Sequence, residues 1–176
     1  MPWAEGYTRE AARQFVDRNA SAEPGEAVSD SPYVVADRAG QVLGLCGLHA
    51  RLGPGRLEIG YWVDIRHTRR GVATLSAAML TELAFSIPQI EAVEIHHDEA
   101  NRLSGLVPAR LGFERTATVS SPRRAPGESG VEWQWCLSRE EWPGSPAARL
   151  LADVRATPSA SAPAARAAGS AGEVGP

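Results

Sequence analysis

The chain has 176 residues, 43% hydrophobic and 22% charged, with a net charge of -3, a length for one domain with an appendage and a composition that builds a core without metals or disulfides. The acidic balance argues against nucleic acid and anionic membranes as partners, and no apolar run approaches the roughly 18 residues that span a bilayer. The start lacks the basic-then-apolar pattern of a signal peptide, and two distant cysteines, Cys46 and Cys136, propose no disulfide framework, so a reducing cytoplasm is the expected compartment. All 18 basic residues are arginine, a bias read as genome composition.

In chain order, Thr8 caps a predicted helix over residues 8–18 with Ala12, Phe15 and Val16 on one face, ending before the loop at Pro24-Gly25. Residues 32–36 and 42–48 read as strands joined by the turn Asp37-Arg38-Ala39-Gly40. After Gly53-Pro54-Gly55 a third strand covers residues 57–63. Residues 72–86 carry Val72, Leu75, Met79 and Leu83 at helical spacing, with Pro88 just beyond. A strand at 92–96, a helix at 101–111 stopped by Gly112, and strands at 114–120 and 131–137 complete the alternation. The order implies an α/β fold with a mixed sheet and helices on its faces, not a doubly wound parallel one. Residues 1–143 form the domain. Residues 144–176, rich in Ala, Pro, Ser and Gly, bury too little apolar surface to offset their ordering entropy and are expected to be a disordered tail, with at most a helical turn at residues 149–151.

Chemistry concentrates where the third strand runs through an arginine-rich loop, Arg69-Arg70-Gly71-Val72-Ala73-Thr74, into the long helix. A helix start leaves backbone N–H groups unpaired at its positive end, a ready pyrophosphate site. Gly71 lets the backbone approach, Ala73 does not block it, and Arg69 and Arg70 add charge. The bland alternative is a helix start with two solvated arginines. The P-loop and dinucleotide fingerprints both fail, the first for want of a lysine and the second for want of two glycines.

Thr68-Arg69-Arg70-Gly71-Val72-Ala73 is similar to the acyl-CoA loop (Gln/Arg)-x-x-Gly-x-(Gly/Ala), with Thr68 departing at the first position. Downstream come Asn101-x-x-Ser104-x-x-Val107 and Leu111-Gly112-Phe113, and upstream Glu58-Ile59-Gly60-Tyr61-Trp62-Val63. In this order the three resemble the GCN5-related N-acetyltransferase (GNAT) superfamily, and within it the ribosomal-protein-alanine N-acetyltransferase-like branch. The resemblance implies a GNAT-like, mostly antiparallel mixed sheet flanked by helices, here starting without the usual first strand and helix. It implies acetyl-CoA as co-substrate, no metal, and direct attack of a primary amine on the thioester in a ternary complex. A protein N-terminus or a small-molecule amine is the implied acceptor, and the protein is a monomer or homodimer.

The resemblance also implies site residues. Glu58 is the candidate base, acting directly or through water, against a solvent-facing strand residue paired with Arg56 or another arginine. Ser104 is the candidate contact or proton donor for the sulfur, against a hydroxyl bonded back to its own helix. Trp62, Val63, Arg69, Arg70, Gly71, Val72, Ala73, Thr74, Asn101 and Ser104 are assigned to the coenzyme, with the backbone N–H near Val63 as oxyanion donor and an N-cap role as the alternative for Asn101. Many relatives place a tyrosine acid seven residues after the asparagine; Pro108 occupies that slot, which excludes that mechanism. His96 and His97 point to opposite faces, so at most one reaches the cleft, as an accessory base, and metal binding is disfavoured. The cysteines read as packed thiols. Trp62, Trp133 and Trp135 are expected in core or cleft walls, with Trp3 and Trp142 at the domain edges. The alternative function is a non-catalytic acyl-CoA-binding or interaction module, and a third reading is a truncated product.

Overall fold

A computed structural model describes residue 10 and residues 31–157. The helix expected over residues 8–18 lies outside the described residues apart from Glu10, as do residues 158–176 and Trp3. Six strands form one sheet in the order β1-β2-β3-β4-β6-β5. They are β1 (Ser31–Ala36), β2 (Val42–His49), β3 (Arg56–Val63), β4 (Ala92–Asp98), β5 (Glu114–Ser120) and β6 (Val131–Ser138), interleaved with α1 (Val72–Phe85), α2 (Arg102–Leu111) and α3 (Pro146–Ala156). Every strand pair is antiparallel except β3 with β4. The fold is therefore the expected mixed, mostly antiparallel sheet flanked by helices.

Local chemistry accounts for the elements. In the β1–β2 turn the Asp37 carboxylate accepts the N–H groups of Ala39 and Gln41, both at 2.9 Å. Alternation then sorts side chains between faces. Cys46 and Leu48 of β2, Leu57 and Ile59 of β3, Val93 and Ile95 of β4 and Leu137 of β6 meet the helices in one core.

The predicted stripe on α1 faces the core only in its first half, where Leu75 packs against it. Met79 and Leu83 are exposed, whereas Ala77, Ala78, Leu80, Thr81 and Ala84 are buried. Alanine on the inner face lets α1 lie close to β2 and β3, and its neighbours α2 and α3 cover the flanks. Leu80 and Phe85 complete the inner face, and Met79 and Leu83 are what remains outside.

The expected tail also departs from expectation. Residues from Pro146 form an eleven-residue helix, α3, rather than a single turn. Ser145 caps it, accepting the Ala148 N–H at 3.1 Å, and Pro146 supplies a preset first turn. Ala147 and Leu151 are buried against the core, and the Arg155 guanidinium pairs with Glu82 of α1. Trp142, just upstream, packs on Phe85 with ring centroids 5.8 Å apart, covering the end of α1.

Gly112 links α2 to this C-terminal unit. It ends α2 at φ 85°, and a Cβ there would stand 2.4 Å from Pro146 Cδ. Gly112→Ala must therefore both hold a left-handed backbone and push α3 away. A loss of about 1–2 kcal/mol in urea unfolding is expected; an unchanged midpoint would show that α3 contributes nothing there.

Candidate active site

β3 and β4 pair only over Arg56–Glu58 and Ala92–Glu94. Past that point β3 stays with β2 as far as Val63 and β4 stays with β6 as far as Asp98, so the two halves of the sheet part. Facing strand edges without a strand partner present N–H and C=O groups that an extended polar ligand satisfies. Trp62 and Val63 stand on the open end of β3, both half-buried.

From there the chain turns through a 3-10 segment, Ile65–His67. Hydrogen bonds from Arg66 cap it through Asp64, holding that carboxyl well below the usual range. Positive φ at Arg69 (61°) and Gly71 (79°) curls the following loop, and Arg70 Nη1 lies 3.1 Å from His67 Nδ1. Gly71 is the N-cap of α1 and brings no side-chain hydrogen bond to it. The first-turn N–H groups of Val72, Ala73 and Thr74 are thus left to a ligand, and a Cβ placed on Gly71 would meet nothing within 4 Å. An open, uncapped, positive helix end beside two arginines fits a pyrophosphate.

Asn101 is the N-cap of α2, its Oδ1 accepting the Ser104 N–H at 3.3 Å, which is the capping alternative. The Ser104 hydroxyl makes no hydrogen bond among the described residues, so the bond back along the helix is absent. Its carbonyl accepts the Tyr61 hydroxyl at 2.9 Å, which ties the open end of β3 to the first turn of α2. The coenzyme candidates on β3 and on α2 are thereby brought together, and those at the start of α1 follow the end of β3 through the 3-10 segment and its loop.

Glu58 lies on the opposite face of β3 from Tyr61. It is only 5% exposed, and the Arg51 guanidinium grips both its oxygens, with Nε–Oε2 at 2.7 Å. Beside it in register, Glu94 is held by Arg56, whose Nε and Nη2 both donate to the single oxygen Oε1 and leave Oε2 to another partner. Two adjacent buried carboxylates repel one another unless each has its own cation, and here each has one. Burial raises the Glu94 carboxyl, but hydrogen bonds from His96 and Arg56 outweigh it and hold the group below the usual range. The arginine partner foreseen for Glu58 exists, although it is Arg51 and not Arg56.

His96 completes the group. Its Nε2 lies 2.5 Å from Glu94 Oε2, and its Nδ1 lies 3.4 Å from Glu132 Oε1 and 3.8 Å from Glu58 Oε2. A cavity of about 180 Å³ opens here, lined by Arg51, Glu58, His96, Asp98, Arg124 and Glu132 among others. Asp98 fastens the β5–β6 loop over it, accepting the N–H groups of Ser129 and Gly130 at 3.0 Å. Burial raises the Asp98 carboxyl, and these amides with that of Ala100 more than offset it, leaving the group below its ordinary range.

His97 faces the helices, as the alternation requires. Its Nε2 accepts the Trp135 indole N–H at 3.0 Å, and the ring stands edge-on to Trp133. Burial pushes both cysteine thiols up, which suits packed thiols and not nucleophiles. Among the described residues no cluster of three or more His, Cys, Asp or Glu side chains is arranged to hold a metal ion, and no helix is long and apolar enough to cross a membrane.

Sequence reasoning reached Glu58 but missed Arg51, Glu94 and Glu132. The spacing Glu94-x-His96-x-Asp98 was a usable signal, because period two puts all three on one face. Nothing in the sequence marks Arg51 or Glu132, which arrive from a turn and from a distant strand.

The family model for the acetyltransferase (GNAT) domain matches residues 1–114. No curated protein matches the chain. Among solved structures, RimJ from Mycobacterium smegmatis, in complex with CoA-disulfide, is similar at 25% identity and a TM-score of 0.70, covering 88% of this chain and 74% of that one. A GNAT-family acetyltransferase from Bacillus anthracis matches at 20% identity and a TM-score of 0.64, covering 76% of each chain. Spermidine N-acetyltransferase SpeG from Vibrio cholerae, in complex with CoA and spermine, shares the fold at 12% identity and a TM-score of 0.64, covering 77% of this chain and 78% of its own. With the parted strands and the uncapped helix start already in view, the domain match settles the family: this chain belongs to the GNAT acetyltransferases.

Proposed function

We propose that the protein transfers the acetyl group of acetyl-CoA to a primary amine, bound together with the coenzyme. The observation that carries this reading is the gap between β3 and β4, which joins the open helix end of α1 on one side to the acidic cavity at Glu58 on the other. Val72, Ala73 and Thr74 N–H groups with Arg69 and Arg70 would hold the pyrophosphate, and Trp62, Val63, Asn101 and Ser104 would flank the arm. The coenzyme supplies an acetyl group activated as a thioester. The chain's part is to orient it, with the Val63 N–H as oxyanion donor and the unpaired Ser104 hydroxyl as proton donor to sulfur. Buried carboxylates at the cavity attract a cationic amine and repel anions. The acceptor is a protein N-terminus or a small-molecule amine; the similar spermidine N-acetyltransferase, solved with CoA and spermine, is an example of the second kind. A cytoplasmic setting, where acetyl-CoA is plentiful, completes the reading.

Thermal unfolding of the full chain with increasing acetyl-CoA tests it. At a hundred times the dissociation constant the native state gains about 2.7 kcal/mol. Gly71→Trp, which fills the loop mouth, should lose that shift while unfolding cooperatively. A wild-type transition that ignores acetyl-CoA would end the acetyltransferase reading, and binding without turnover of any amine would favour a binding module.

A further inference from the structure

We infer that His96, oriented by Glu94, is the group that removes the proton from the incoming ammonium, while Glu58 and Glu132 hold the ammonium in place. The inference rests on the proposed amine acetylation and assigns a different proton acceptor from the one the sequence suggests. Glu58 is poorly placed for that task, since both its oxygens are committed to the Arg51 guanidinium. An acceptor in a two-toothed grip with a permanent cation gains little by taking a proton.

His96 has the complementary arrangement. Glu94 is held as a carboxylate by Arg56 and can only accept, so at 2.5 Å its oxygen requires the hydrogen to sit on His96 Nε2. That fixes the neutral ring with a lone pair on Nδ1. Nδ1 makes no hydrogen bond among the described residues and faces Glu58 and Glu132, both of which line the cavity. The chain Arg56–Glu94–His96 thus aims one basic nitrogen at the place where two carboxylates would seat a cation.

The charges around the ring are Glu58 from β3 with its Arg51, Glu94 on β4 with its Arg56 and Glu132 from β6, and the same cavity is lined further out by Asp98 at the end of β4 and by Arg124 and Glu128 of the β5–β6 loop. Gln134, opposite His96 in register, is neutral and donates to Glu132 Oε1 at 3.0 Å. An ammonium seated between Glu58 and Glu132 supplies the positive charge those carboxylates otherwise draw from the imidazole. The proton then passes from the amine nitrogen to Nδ1, its bonding pair remains on nitrogen as the nucleophilic lone pair, and the resulting imidazolium is balanced by the same three carboxylates. Later loss of that proton to solvent resets the ring.

The tautomer is read without any acceptor, by nitrogen-15 NMR of the histidine rings in the full chain. The neutral His96 ring should carry its hydrogen on Nε2 and none on Nδ1; a neutral ring protonated at Nδ1 would overturn the inference. For turnover, spermidine and a short peptide with a free N-terminus serve as acceptor probes. His96→Gln keeps a donor for Glu94 and removes the base. It should lower kcat by about 10²-fold or more, abolish the fall in rate toward low pH, and keep the acetyl-CoA thermal shift. Glu58→Gln should act mainly on the KM for the amine. A His96→Gln enzyme within about threefold of the wild-type kcat, alongside a Glu58→Gln enzyme that has lost it, would return the proton to Glu58. If neither probe is acetylated, the proposed function fails, and the ring tautomer still decides the dyad.

Discussion

Replacing Arg139 with methionine should cost about 2–4 kcal/mol of unfolding free energy, since charged hydrogen bonds are worth roughly 1.5–3 kcal/mol each and part of the loss is regained from water. Arg139 sits just past β6, and its guanidinium donates to three carbonyls around the end of α1. Nη1 reaches Phe85 at 2.8 Å, Nη2 reaches Ile87 at 2.6 Å and Nε reaches Ile90 at 2.8 Å. The last carbonyls of a helix have no partners within it and carry the negative end of its dipole, so a planar cation with several donors suits them. Methionine keeps the aliphatic stem over Phe85 and removes every donor. Arg139→Lys keeps the charge but has no fork, and should recover about half of the loss. Thermal scans provide the readout, at roughly 2–4 °C per kcal/mol for a chain of this size. A methionine variant that melts within one degree of the wild type would mean that water replaces the clamp at no cost.

The second large effect concerns Tyr61 and Pro108. Proline has no N–H, so the Ser104 carbonyl one turn back in α2 loses its helical partner. The Tyr61 hydroxyl donates to that same carbonyl at 2.9 Å. Burial pushes the Tyr61 phenol well above its ordinary range, so it remains a neutral donor at any working pH. Tyr61→Phe should therefore cost about 1–3 kcal/mol, the penalty for an unsatisfied buried carbonyl. Pro108→Ala supplies the missing N–H, at some expense in packing because Pro108 is fully buried. In the Pro108→Ala background the Tyr61→Phe penalty should shrink by about 1 kcal/mol, a coupling that a double-mutant cycle measures. Additive losses would show that the phenol does not stand in for the absent amide.

This pair also shows how far the sequence could be read. Pro108 was legible as the residue that displaces a family tyrosine, yet the consequence, a hydroxyl from another strand repairing the helix, needs a contact across more than forty positions. The strands and helices followed well from periodicity and turn residues, because those signals are local. The buried face of α1 did not, since a helix that packs through alanines hides its inner side from any search for bulky apolar residues. The uncapped start of α1, proposed above to hold a pyrophosphate, was legible through Gly71 because the geometry of a helix start is short-range. Of the acidic cavity only Glu58 and the His96 cluster were legible, because its other walls come from a turn, from β6 and from the β5–β6 loop, whose meeting depends on the sheet order.

The position of α3 has a consequence for the birth of the protein. All six described strands and the other two described helices are synthesised before the segment that covers the flank of α1. Until Ala147 and Leu151 arrive, the nascent sheet-and-helix body carries an unshielded apolar groove, the kind of surface that chaperones hold and that promotes premature association.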